Sequence, residues 1–172
     1  LRYLEAFPGA RFVGDKIPRL FLYYDRLAKE LSPVKVLFVF RNLFDVARSF
    51  EIRARNPDAT WLASRDGMRA ISEWNLAVLE TEKRLPHPSI LAVSYEDLFL
   101  RKVGWSRLSR FLGMEVAPRF GRPRAVTDER PDILPAEVKE AILAYGRIER
   151  YRRLLDGLRA EYRPEDDEGR AG

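Results

Sequence analysis

At 172 residues the chain is the size of one domain, and its 46% hydrophobic and 12% aromatic content excludes wholesale disorder. It has no cysteine and a single histidine, His87. Disulfide frameworks, thiolate metal sites and cysteine nucleophiles are therefore excluded, and multi-histidine metal centres and most Ser-His-Asp arrangements lose plausibility. Lys and Arg number 31 against 26 Asp and Glu, a formal charge of +5. That balance suits an anionic partner, and arginine, which pairs planar oxyanions bidentately, supplies most of it. Solvated helix faces in a chain of biased composition are the plainer reading of the same excess. No apolar run approaches the roughly 20 residues of a membrane span and no signal-peptide pattern opens the chain, so the expectation is a cytoplasmic protein with no membrane partner.

In chain order, Ala10–Val13 reads as a short strand closed by Gly14-Asp15. Arg19–Leu31 places Leu20, Tyr23, Tyr24, Leu27 and Leu31 at helical spacing before Ser32-Pro33 stops it. Lys35–Phe40 (KVLFVF) is a continuous β-branched and aromatic run, the pattern of a strand buried on both faces. Arg41–Phe44 is a turn, and helical spacing returns over Asp45–Ala54. After Asn56-Pro57-Asp58, Thr60–Leu85 reads as one long helix with Ile71, Trp74 and Val78 on a stripe, ended by Pro86-His87-Pro88. Ile90–Val93 is a further interior strand. Tyr95–Leu100 and Trp105–Leu112 are short helical segments, the second stopped by Gly113. Gly113–Pro135 is a long loop, Ala136–Tyr151 an amphipathic helix opened by Pro135, and Arg152–Tyr162 its continuation or a last helix. Residues 1–162 thus form a single α/β domain and Arg163–Gly172 a frayed polar tail. Strands alternating with helices predict βαβ units and a mostly parallel sheet flanked by helices. Three short strands make that sheet thin.

The segment that points to chemistry is Lys35–Ser49. A buried strand delivers Arg41 at its C-terminal end, where ligands of open α/β sheets bind. Asp45, near the start of the following helix, suits the macrodipole and either caps free N–H groups or holds an arginine in place. Ser49 lies one turn further on, where its hydroxyl can donate to a phosphate oxygen. One bidentate and one neutral donor suit a terminal phosphate monoester.

Arg41-Asn-x-x-Asp45-x-x-x-Ser49 after a VLFVF strand resembles the 3′-phosphate-binding motif of PAPS-dependent sulfotransferases (PAPS is 3′-phosphoadenosine-5′-phosphosulfate), with Leu43 where the family usually has proline. Val93–Leu98 (VSYEDL), followed by a Phe-Leu-Gly at Phe111, is a second match, and Gly14–Pro18 (GDKIP) a third. The resemblance covers about Gly14 to Val116 and implies a P-loop NTPase-like sulfotransferase fold of the bacterial type. It implies transfer of a sulfuryl group from PAPS, as cosubstrate and without a metal, to a hydroxyl or amine acceptor. On it, Arg41 and Ser49 bind the 3′-phosphate, Tyr95 lies near the adenine, and Lys16 neutralises charge on the bridging oxygen of the leaving nucleotide. Arg119, Arg122 and Arg124 lie in a loop that either closes over the nucleotide, with Arg122 as the contact, or is a solvated basic surface.

The family's glycine- and hydroxyl-rich 5′-phosphosulfate loop has no counterpart before Lys16. The resemblance therefore implies either the C-terminal two-thirds of the family domain, N-terminally incomplete, or a homologue lacking its first strand and loop, with this chain supplying the 3′-phosphate and adenine half of the site. The alternative is a non-catalytic nucleotide- or polyanion-binding homologue. A small kinase would carry GxxxxGK[ST], which is absent. A nucleic-acid module would cluster basic residues with exposed aromatics, whereas the aromatics here fall on apolar stripes or in strands, so no nucleic-acid partner is expected. His87, between two prolines, reads as a surface turn residue, and Trp61, Trp74 and Trp105 as packing residues.

Overall fold

A computed structural model describes residues 8–30, 34–58, 60–85, 87–100, 104–116 and 133–160, which form an α/β arrangement of helices around a small open parallel sheet. A 3-10 turn (Leu20–Tyr23) leads into α1 (Tyr24–Glu30). Strand β1 (Val36–Phe40) follows, then α2 (Leu43–Ala54), α3 (Gly67–Glu82) and β2 (Ile90–Ser94). A π-helical turn (Glu96–Leu100), α4 (Trp105–Leu112), α5 (Ala136–Tyr145) and α6 (Ile148–Ala160) complete it. Strands β1 and β2 pair in parallel with Val36 opposite Ile90 and Phe40 opposite Ser94. The connection between them runs through α2 and α3, the crossover that parallel pairing requires. Among the described residues no helix is long and apolar enough to cross a membrane.

Alternation along the strands divides the core. Phe40 and Ala92 face a main cluster with Leu43, Ala47, Ile71, Trp74, Val78, Val138, Ile142 and Tyr151, contributed by α2, α3, α5 and α6. Leu91 and Val93 face the other side, where Trp105 and Leu108 of α4 and Leu98 cover them. A third cluster joins Phe21, Tyr24, Val36 and Ala77. Burial of a Leu, Ile, Val or Phe side chain contributes about 1.5–3 kcal/mol, so these three groups carry most of the fold.

Several elements differ from their sequence pattern. Strand β1 is buried on one face only: Leu37 and Val39 are 41% and 45% exposed. Helix α4 reaches across β2 but not across β1, which is an edge strand among the described residues. Ala10–Val13 is irregular, with Phe12 and Val13 exposed, because no described segment pairs with it; among the described residues the sheet has two strands, and Ala10–Val13 is not a third. The long helix begins at Gly67 rather than Thr60. Asp66 caps it by accepting from Arg69 N at 3.0 Å, and the buried Glu51 accepts from Gly67 N at 2.9 Å. The expected helix over Ala136–Tyr151 breaks at Gly146, and Arg163–Gly172 lies outside the described residues.

The break at Gly146 has a specific cause. Gly146 is extended (φ −66°, ψ 131°), and a Cβ there would lie 2.4 Å from the carbonyl oxygen of Ile142 and 2.9 Å from Leu43 Cδ2. Asn75 of α3 secures the corner on both sides, donating to the Tyr145 carbonyl at 2.9 Å and accepting from Arg147 N at 2.9 Å. Gly146→Ala must therefore displace backbone, and the expected loss is about 1–3 kcal/mol. Urea unfolding checks this: the midpoint should fall with the slope unchanged. An unchanged midpoint would mean the corner opens without cost.

Candidate active site at the carboxyl ends of the strands

Because Phe40 stands opposite Ser94, the chain leaves both strands side by side, and Arg41 and Tyr95 become neighbours. The Arg41 guanidinium lies over the Tyr95 ring, 4.8 Å from its centroid. Its Nε donates to Asp45 Oδ2 at 3.3 Å, and its carbonyl accepts from the Trp74 indole at 2.9 Å. Both the backbone and the side chain of Arg41 are thus held. A partly desolvated cation–π contact is worth about 0.5–2 kcal/mol. The side chain keeps 29% of its surface exposed. Its two terminal nitrogens make no hydrogen bond among the described residues, so a preoriented fork is left for a planar or tetrahedral oxyanion.

Helix α2 starts here for a reason written in its first residues. Asn42 is extended (φ −60°, ψ 148°) and its side-chain oxygen accepts from Asp45 N at 2.9 Å, an N-cap. Its amide nitrogen donates to Asp45 Oδ2 at 2.8 Å. Asp45 therefore orients Arg41 rather than capping the helix. Arg48 approaches the same carboxylate, Nη1 to Oδ1 at 3.5 Å, and its buried Nε has no hydrogen-bond partner. Ser49 is half-buried, one turn beyond Asp45 on the same side of α2, and its hydroxyl has no partner among the described residues.

Glu96 ties the two strand ends together. Its Oε1 accepts from Asn42 N at 3.1 Å and from Asn42 Nδ2 at 3.3 Å, and its Oε2 accepts from the Ser94 hydroxyl at 3.0 Å. Tyr151 of α6 lies close enough to feel the Glu96 charge. The next residue, Asp97, is fully buried and takes a bidentate pair from Arg159 at 3.0 and 3.1 Å. That carboxylate holds the Arg159 guanidinium's pKa above its usual value. Burial first, and then the negative charges of Glu96 and Asp97, push the Tyr151 phenol well above its ordinary value.

The other sequence-derived candidates lie elsewhere. Lys16 is exposed and lines a separate cleft of about 240 Å³ with Phe50, Arg53, Trp61, Arg65 and Trp74, a cleft that Arg41, Ser49 and Tyr95 do not line. Trp61 is not simply packed: Arg65 and Arg53 lie 4.2 and 5.1 Å from its ring centroid. Trp74 and Trp105 are buried. Arg122 lies outside the described residues, as do Arg119 and Arg124. His87 is an exposed turn residue whose Nδ1 accepts from Ser89 N at 3.1 Å. Asn42, Arg48, Glu96 and Tyr151 join the site without having been singled out from the sequence. The acidic pair after Tyr95, in a chain rich in arginine, is the signal by which Glu96 could have been found. Among the described residues no group of three His, Asp or Glu side chains is placed to hold a metal ion.

No protein-family model matches the chain, no curated protein matches it, and no solved structure matches it.

The Tyr151 environment has a pH consequence. Its folded pKa lies above the ordinary 10.0, so the neutral phenol favours the fold. That stability is fully present below about pH 10 and is lost as pH rises through the folded value. Thermal unfolding between pH 9 and 12 should show a falling Tm, with a shallower fall in Tyr151→Phe. Equal slopes for the two proteins would remove Tyr151 as the source.

Proposed function

We propose that this chain is a sulfotransferase-type domain, with the P-loop NTPase-like sulfotransferase fold, that binds the 3′-phosphoadenosine part of PAPS at the carboxyl ends of β1 and β2. The observation that carries the reading is the Arg41 guanidinium, held by Asp45 and Tyr95 with both terminal nitrogens unbonded among the described residues, together with the Ser49 hydroxyl, also without a partner among the described residues, one turn beyond Asp45 on the same helix. The three sequence motifs agree with it in order and spacing.

In this reading the 3′-phosphate takes two hydrogen bonds from Arg41 and one from Ser49. Arg48 adds positive charge behind Asp45, and Tyr95 borders the adenine. Sulfuryl transfer breaks the S–O bond to the nucleotide and forms an S–O bond to a hydroxyl acceptor or an S–N bond to an amine acceptor, whose proton passes to a base. The leaving nucleotide departs as 3′,5′-adenosine bisphosphate. Its charge develops on the bridging oxygen, where a cation stabilises it; Lys16 takes that role where the nucleotide extends from the strand ends into the cleft that Lys16 lines. Arg122 is a second candidate contact to the nucleotide. A second reading is a non-catalytic binder of nucleotides or polyanions. It is favoured by the lack, within the 172 residues, of a glycine loop rich in Ser and Thr to cradle a 5′-phosphosulfate.

Thermal unfolding with 3′,5′-adenosine bisphosphate tests the shared part of both readings. At about 100 times its Kd the ligand stabilises by about 2.7 kcal/mol. The expected result is a rise in Tm that 5′-ADP and 5′-AMP do not reproduce, abolished by Arg41→Ala and reduced by Ser49→Ala. No rise with any nucleotide, from a chain that melts cooperatively, would overturn the site. Release of the bisphosphate from PAPS with an acceptor present separates the enzyme from the binder.

A further inference from the structure

At the opposite, amino-terminal end of the sheet, α6 and α4 part around the start of β2 and leave a groove of about 670 Å³. Its floor is the buried Leu91 and Leu158, and its walls are the half-buried Leu85, Ile90, Phe111 and Leu154. The volume is that of an ordinary small-ligand pocket. None of Arg41, Ser49 or Tyr95 lines it, so it is distinct from the site described above.

Three observations define what would fit. The rim is cationic: Arg107 and Arg153 border the apolar trough, and Lys35 Nζ lies 5.1 Å from the ring centroid of Phe111. Its one carboxylate, Glu82, is engaged by Arg150 at 2.9 Å, while Arg153 makes no ion pair among the described residues. Helix α6 also carries a glycine at the groove. Gly157 lies inside the helix, where glycine is unfavourable relative to alanine, and a Cβ built there meets no heavy atom within 4 Å. The space over Gly157 is therefore open and continuous with the trough.

We propose that this groove is a binding site for a single-chain amphipathic anion, with an apolar tail along Ile90, Leu91, Phe111 and Leu154 and an anionic head at Arg153. Burial of the tail supplies the affinity, and the Arg153 guanidinium selects the anion over a neutral chain of equal length. The site is independent of the nucleotide reading, because the two lie at opposite ends of the strands.

Isothermal titration of the full chain with sodium decanoate and with 1-decanol is the test. The expected result is one decanoate per chain, with decanol bound more weakly. Arg153→Glu should weaken decanoate by about fivefold or more and leave decanol unchanged. Gly157→Leu should fill the groove and weaken both by about tenfold or more. Gly157→Ala is the folding control and should melt no lower than the parent chain. No saturable decanoate binding would overturn the proposal, as would undiminished binding to a folded Gly157→Leu. Decanol binding equal to decanoate, with Arg153→Glu without effect, would overturn the choice of an anion. The response to 3′,5′-adenosine bisphosphate should be the same in Gly157→Leu as in the parent, so failure of either site is read separately.

Discussion

The Glu96 carboxylate joins what the rest of the site depends on. Two parallel strands end next to each other, and their backbones then diverge into α2 and into the π-helical turn. A junction of this kind leaves free N–H groups in a partly buried place, where an unsatisfied donor is costly. Glu96 accepts from the backbone and side chain of Asn42 after β1 and from the Ser94 hydroxyl at the end of β2. Asn42 is thereby fixed as the N-cap of α2, and the helix that carries Asp45, Arg48 and Ser49 takes its direction from that cap.

Arg41 gains its geometry from the same junction. A free arginine side chain loses about 2 kcal/mol of rotamer entropy when it is fixed on a ligand. Here Asp45 and the Tyr95 ring hold it beforehand, and the Trp74 indole holds its carbonyl. Preorganisation of this kind lowers the cost of binding an anion. The negative charge of Asp45 is shared between Arg41 and Arg48, so it orients the first without neutralising the pair.

The two ends of the sheet differ in chemistry. The carboxyl ends are lined with hydrogen-bonded polar side chains on short connections, while the amino ends open on an apolar trough edged with arginine. Helix α6 serves both. Tyr151 and Arg159 reach Glu96 and Asp97, and Leu154, Gly157 and Leu158 shape the groove. Its separation from α5 at Gly146, clasped by Asn75, sets the angle at which it does so.

Local pattern determined a good part of this molecule. The VLFVF run and the ILAV run are strands, Trp105–Leu112 is a helix ended by a glycine at φ 68°, and Arg41 stands at a strand's carboxyl end followed by Asp45 as its holder. Each of these rests on near neighbours: β-branched runs, a left-handed stop, and side chains four apart on one helix. What the chain's pattern did not determine depends on partners distant in sequence. Strand β1 is exposed on one face because α4 covers only β2, and Ala10–Val13 is irregular because no described strand pairs with it. The helix breaks at Gly146, at a corner held by Asn75 where a Cβ would run into Ile142 and Leu43, Thr60–Asp66 lies outside the long helix, and Lys16 lines a cleft separate from Arg41. Tyr95 became a neighbour of Arg41 only through the pairing of Phe40 with Ser94. Pairing and coverage are long-range events, and tertiary packing alone decides them.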